Sequence, residues 1–239
     1  MTMEAKNYHD HDGWTITSSS LREFLRSPSL YYHRYVLRDA VIPENRSLII
    51  GSAFHCLVLE PDQFEQRYYM GNYQQSDPNG RVRLTPYEWS NVKLFAERLK
   101  AHIFYGSHLK DAIKEKPLAV KLSNGLIIKA KPDALHKGMI IDVKSTGHLK
   151  NAFNSKVLEF GYHIQAAFYD GVLHRSGDED NRDFVFFVLC KRKPYSVFLK
   201  KIPHHTLKKI WNDQVLPTLD RIHKCLVDNE WGDVISCKN

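Results

Sequence analysis

Two short segments, Lys131-Pro132-Asp133 and Ile141-Asp142-Val143-Lys144, bring acids and a lysine into reach of one another. A two-residue hairpin turn at Lys137-Gly138 would set His136 opposite Met139. Counting back along both strands then places Asp133 opposite Asp142. Directly facing side chains have Cβ atoms about 4.5–5.5 Å apart, and like charges there repel. Two facing carboxylates therefore want a cation, and hard Mg²⁺, commonly held by one or two carboxylates and waters, is the natural occupant. Lys144 lies two residues beyond Asp142, hence on the same face of the strand. An ammonium there could orient an attacking water or neutralise charge on a phosphate. The argument depends on the turn, since a three-residue loop would slip the register by one. The spacing is equally open to another reading, in which both acids are solvated strand-end residues paired with Lys131 and Lys144.

Other candidates are further along the chain in both directions. His55 lies inside the apolar run Gly51-Ser52-Ala53-Phe54-His55-Cys56-Leu57, where a satisfied core histidine is the ordinary explanation. Gln165 and Tyr169 are four apart on an expected helix and so share a face, which packing or core hydrogen bonding would also explain. His9-Asp10-His11-Asp12 reads as an exposed arm before it reads as a metal site. His204-His205 reads as a solvated helix end. Lys191-Arg192-Lys193, with Lys200-Lys201, could track phosphates or simply form a solvated turn.

The elements that must position these residues change period along the chain. Residues 1–16 read as a flexible polar arm, and 17–239 as a single domain. Ser20 and Glu23 have capping-box spacing ahead of Leu21, Phe24 and Leu25, and Ser27-Pro28 ends one helix and opens another. Ser47 to Glu60 is an apolar helix whose small residues Gly51, Ser52 and Ala53 predict close packing on a neighbour. Gly71 to Arg83 reads as a loop. Thr85-Pro86-Tyr87-Glu88 caps a helix carrying Val92, Phe95, Leu99 and Ile103. Pro117 to Ser123 and Leu126 to Leu135 are strands joined by Asn124-Gly125, and Met139 to Ser145 is a third. A helix over about 149–174, interrupted near Phe160-Gly161, precedes strands at Asp183–Cys190 and Tyr195–Ile202. The last helix begins near His204, with Leu207, Trp211, Leu219, Ile222 and Leu226 on one side and a kink at Pro217. Strands interleaved with long helices define an α/β protein.

Composition sets the outer limits. Of 239 residues, 43% are apolar and 26% charged, a balance unlike that of a disordered chain. No apolar run approaches the roughly 20 residues of a membrane span, and the polar start bearing Asp10 and Asp12 does not resemble a signal peptide. Cys56, Cys190, Cys225 and Cys237 show no Cys-x-x-Cys spacing, so a zinc ribbon is excluded and reduced thiols in a cytoplasm are expected. Lys and Arg number 34 against 27 Asp and Glu, a net +7 that permits a polyanionic partner. No glycine-rich phosphate loop is present, so ATP-driven chemistry is not expected.

Together, Gly51-x-x-x-His55, Pro132-Asp133, Asp142-Val143-Lys144 and Gln165-x-x-x-Tyr169 have the order and spacing of a known family. The chain resembles the PD-(D/E)xK nuclease superfamily and, within it, the RecE-like exonucleases of the exodeoxyribonuclease VIII type, with a more distant likeness to the RecB nuclease domain. The likeness runs from about residue 15 to Trp231-Gly232. It implies a restriction-endonuclease-like α/β core, a mixed sheet with an antiparallel meander and further strands, flanked by helices. It also implies that His55, Asp133 and Asp142 hold Mg²⁺, with Mn²⁺ able to substitute, and that the Val143 carbonyl completes the protein's share. Lys144 would position the attacking water, while Gln165 and Tyr169 would steady the site and contact the DNA backbone. The expected activity is 5′–3′ digestion of duplex DNA ends in recombination or repair. A ring-shaped homo-oligomer and a single-strand annealing partner are further expectations, and no iron–sulfur cluster is expected. Alternatives are a single-strand or structure-specific nuclease of the same fold, or a non-catalytic DNA-binding scaffold.

Overall fold

The computed structural model describes residues 13–40, 45–72, 77 and 79–232. Its first half is built around helices: β1 (Thr15–Thr17), α1 (Ser18–Arg26), α2 (Pro28–Tyr31), α3 (Arg46–Leu59), α4 (Phe64–Arg67), β2 (Tyr68–Met70), β3 (Val82–Leu84) and α5 (Pro86–Lys100). Strands β4 (Ile113–Lys114), β5 (Leu118–Lys121), β6 (Ile127–Ala130), β7 (Ala134–His136) and β8 (Met139–Thr146) follow. The chain ends with α6 (Lys150–Glu159), α7 (Tyr162–Arg175), β9 (Asp183–Cys190), β10 (Val197–Ile202), α8 (His204–Ile210) and α9 (Leu216–Asp228).

The central sheet has the order β10-β9-β8-β7-β4, and only β8 and β9 pair in parallel within it. Its two faces bury separate cores. Ile140, Phe184, Phe186, Val188 and Cys190 point to one side, where α1, α6, α7, α8 and α9 pack. Ile141, Val143, Val185, Phe187 and Leu189 point to the other, toward α3 and α5. Strand β9 is thus apolar at almost every position because both its faces are covered, as expected for a parallel pair flanked by helices. A second sheet, β1-β6-β5, adjoins the first core.

The expected hairpin turn at Lys137-Gly138 is present. Both residues have positive φ, 42° and 73°, as a two-residue type I′ connection requires. His136 pairs with Met139 and Ala134 with Ile141. The break near Phe160-Gly161 is also real, with Gly161 in the left-handed region at φ 65° between α6 and α7. The other hairpin closes through a three-residue loop, Leu122 pairing with Leu126 and Gly125 supplying φ 94°.

Several expectations are corrected. The arm expected over 1–16 is too long at its far end, because Thr15 and Ile16 are buried in β1, paired with Ile127 and Ile128; residues 1–12, with the His9-Asp10-His11-Asp12 cluster, lie outside the described residues. The first capping box is Thr17 with Ser20, since the Ser20 hydroxyl takes the reciprocal role assigned to an acid. Leu126–Leu135 is two strands, not one. Pro132 has no N–H to continue a ladder, and the chain leaves the small sheet after Ala130 to enter the central one at Ala134. Helix α5 ends at Lys100, leaving Ile103 exposed. The loop expected over Gly71–Arg83 gives way to strand β3 at Val82; residues 73–76 and 78 within it lie outside the described residues. The final strand begins at Val197 rather than Tyr195. A π-helical turn, Trp211–Val215, separates α8 from α9 just before Pro217, which cannot bond to the carbonyl four residues back.

Gly171 of α7 faces that turn, and a Cβ there would lie 1.9 Å from Trp211 Cε3. Helix propensity alone would make Gly171→Ala stabilising by up to about 1 kcal/mol. The steric conflict reverses the sign, and overpacking of a fixed core costs about 1–3 kcal/mol. Urea unfolding should therefore show a net loss of stability; a gain would mean that the indole is free to move aside.

Candidate active site

The hairpin turn delivers Asp142 and Lys144 to one face of β8, and Pro132 leaves Asp133 just outside the end of β7. One further step along the β7–β8 ladder from the Ala134–Ile141 pair is Asp133 against Asp142. The carboxylates do not simply face each other. Asp133 turns toward α3, where its Oδ2 accepts the Val143 N–H at 2.6 Å and lies 2.7 Å from His55 Nε2. Asp142 turns toward α7, with Oδ2 2.7 Å from Lys144 Nζ and Oδ1 accepting from Gln165 Nε2 at 2.9 Å. Repulsion between the two acids is relieved by giving each a cation of its own.

His55 reaches the sheet because α3 is set by its ends and stripped of bulk on one face. Asn45 caps it by accepting the Ser47 N–H, and Arg46 pairs with Glu88 in the capping box of α5. Gly51 and Ser52 lie on the face of His55, and a Cβ on Gly51 would touch nothing within 4 Å. The close packing expected of these small residues holds for Ala53 alone; Gly51 and Ser52 keep a pocket open. That pocket, of about 790 Å³, is lined by His55, Glu115, Lys131, Val143 and Lys144 among others. His55 is a core-edge histidine bound to polar partners, its Nε2 also 3.0 Å from the Val143 carbonyl.

Glu115 enters this group without any signal in the motif spacing. It follows β4 with a left-handed backbone, φ 52°, its N–H donating to the Asp133 carbonyl at 3.1 Å. One ligand atom from each of His55, Glu115 and Asp133 lies within 4.8 Å of the others. With the Val143 carbonyl beside His55, these nitrogen and carboxylate donors suit a divalent cation. Asp142 stands next to the cluster, engaged by Lys144 and Gln165. Tyr169 closes the far side, its hydroxyl 3.3 Å from Gln165 Nε2, while the buried Gln165 Oε1 has no hydrogen-bond partner among the described residues. The Lys144 ammonium also lies over the Tyr162 ring, 5.2 Å from its centroid.

Electrostatics follow from this pairing. Burial works against protonated His55, but the Asp133 carboxylate outweighs it and raises the imidazole to about 9. Burial would lift Asp133, yet His55 and Lys144 hold it below the usual carboxylate range. Asp142 is pushed up to about 6 by burial, with Asp133 adding to the rise against the pull of Lys144. Burial opposes the charge of Lys144, and the two aspartates restore it and raise the group above its ordinary value.

Of the remaining candidates, Lys191 lines the pocket, its N–H bonded to the Thr146 carbonyl. His204 is not a merely solvated helix end: its N–H donates to Asp183 and its ring stands 3.7 Å from Asp170. Lys201 pairs with Asp183. Cys56, Cys190 and Cys225 are free thiols, and Cys237 lies outside the described residues. Among the described residues no helix is long and apolar enough to cross a membrane.

A cation taking the His55 nitrogen must displace its proton. With the imidazole raised to about 9, Mn²⁺ affinity should climb roughly tenfold per pH unit from pH 7 toward that value and then level off. Calorimetry in buffers of different ionisation heat should count about one proton released at pH 7.5, and His55→Gln should abolish both effects. A pH-independent affinity would remove His55 from the ligand set.

A family profile described as "PDDEXK-like domain of unknown function (DUF3799)" matches residues 17–238. No curated protein matches the sequence. Among solved structures, a Eubacterium rectale protein described as "Putative exonuclease" superposes with a TM-score of 0.69. The identity is 16%, over 94% of this chain and 87% of that one. At such low identity the likeness bears on the fold, and it agrees with the mixed, helix-flanked sheet expected of a restriction-endonuclease-like core. Profile, fold and the Asp133, Asp142-x-Lys144 arrangement agree, and the chain belongs to the PDDEXK-like domain family.

Proposed function

We propose that the protein is a divalent-metal-dependent deoxyribonuclease, with Mg²⁺ as the working ion and duplex ends as the substrate, digested from the 5′ side. The observation that carries this reading is the buried Asp142, paired with Lys144, standing beside the His55, Glu115 and Asp133 donor cluster, with Lys144, His55 and Glu115 lining an open pocket and Asp133 buried behind them. A non-catalytic binder has no need of buried acids held beside a charged lysine. When bound, the ion would supply Lewis-acid polarisation of the scissile phosphate and a more acidic water.

The protein's own groups supply the rest. Lys144, kept cationic by Asp142 and Asp133, acts as a donor that orients the attacking water and meets charge growing on the phosphate. It is no base in this state. Gln165 fixes Asp142 through the bond to Oδ1, which leaves the other oxygen for Lys144. Lys191 and His148 on the pocket wall offer contacts to backbone phosphates. Resemblance to RecE-like exonucleases supports the 5′ polarity, a ring-shaped homo-oligomer, a single-strand annealing partner, and a place in recombination or repair in the cytoplasm.

End-labelled linear and closed circular duplexes should be digested differently in Mg²⁺: linear DNA loses its 5′ label first, circles survive, and chelator stops the reaction. Cleavage of circles would make the enzyme an endonuclease, and inertness in both Mg²⁺ and Mn²⁺ would overturn the reading. Asp142→Ala should lose on the order of 10²-fold or more in rate. Lys144→Met should lose turnover while retaining Mn²⁺ binding by calorimetry; loss of both would make the lysine structural.

A further inference from the structure

We propose that Lys131 is a phosphate-binding cation held in reserve by Glu115, released to the bound strand when a divalent ion takes that carboxylate. The phosphate half of this inference rests on the nuclease reading; the exchange between lysine and ion does not. Glu115 and Lys131 come from different strands' ends, after β4 and after β6, and meet as an ion pair on the pocket wall. The carboxylate is the more enclosed partner, with 16% of its side chain exposed against 35% for the lysine. Glu115 therefore sits inside the donor cluster with His55 and Asp133, and Lys131 sits at its solvent edge.

The two roles of Glu115 conflict. A divalent ion among His55, Glu115 and Asp133 competes for the negative charge that now neutralises Lys131, and it repels the adjacent ammonium. Lysine carries its charge on a flexible four-carbon stem, so Lys131 can turn outward into the pocket without moving the backbone. Lys131 then becomes a cation released from its carboxylate only when the ion is in place, and a phosphodiester oxygen is the ligand of matching charge. Arg67, which lines the same pocket, provides a contrast. Its partner Glu60, 2.8 Å away, is no part of the donor cluster, so ion binding leaves that pair undisturbed. Placement of Glu115 is also specific, because it holds a left-handed backbone that non-glycine residues seldom adopt.

The test is a double-mutant cycle with two readouts. In Mn²⁺ calorimetry, Lys131→Met should tighten binding about fivefold in the wild-type background and less than about twofold in Glu115→Gln, an interaction typical of directly paired groups. Equal tightening in both backgrounds would reduce Lys131 to a general charge effect and overturn the exchange. In duplex binding followed by anisotropy, Lys131→Met should cost about tenfold in Ca²⁺ and less than about twofold in chelator. Glu115→Gln should tighten metal-free binding only where Lys131 is present. Equal losses with and without Ca²⁺ would overturn the release. If no protein binds duplex in any condition, the nuclease reading and the phosphate half fall together, and the Mn²⁺ cycle still decides the exchange.

Discussion

The register of a single hairpin governs the site. Lys137 and Gly138 both adopt positive φ, and the tight turn they make fixes His136 against Met139. Strand side chains alternate faces, so a slip of one residue would send Asp142 and Lys144 into the core that Val143 and Ile141 now fill. The same slip would bring Val143 to the polar side. The placing of Asp133 against Val143 and Asp142 depends on this two-residue connection, and burial on both faces of the central sheet penalises a slipped register.

Given that register, the arrangement of charge follows from avoiding two unpaired anions in a confined space. Unpaired buried carboxylates are costly. The protein separates them, turning Asp133 to the helix side carrying His55 and Asp142 to the side carrying Lys144 and Gln165. The result is a buried cluster in which each acid is held by a cationic partner. On the proposed reading, an entering cation would replace a proton and a lysine contact rather than fill an empty cage.

Much of this was legible in the sequence because it depends on local rules. The Lys-Gly turn, the helix break at Gly161 and the Thr85–Glu88 capping box each follow from backbone preferences of a few residues. What escaped depends on which element lies opposite. The stretch Leu126–Leu135 reads as one strand, and only the presence of two sheets makes Pro132 a boundary. Glu115 has no spacing relation to the other residues of the cluster, and tertiary folding alone brings it to Asp133. Gly51 and Ser52 signal that bulk is absent on one face of α3 without saying whether a neighbour or solvent occupies the space. Thr17 displaced Ser20 as the cap because β1 already holds the preceding residues extended.

The break at Pro132 has a further effect on Asp133. Its backbone carbonyl is tied to Glu115, and its side chain to the Val143 N–H and His55. A free aspartate would surrender rotational entropy on capturing an ion, a cost that scales with each side chain immobilised. Here that ordering is completed when the chain folds. On the proposed reading, ion capture would draw little on the freedom of Asp133, and the remaining entropic cost would fall on Lys131 and on the waters leaving the ion.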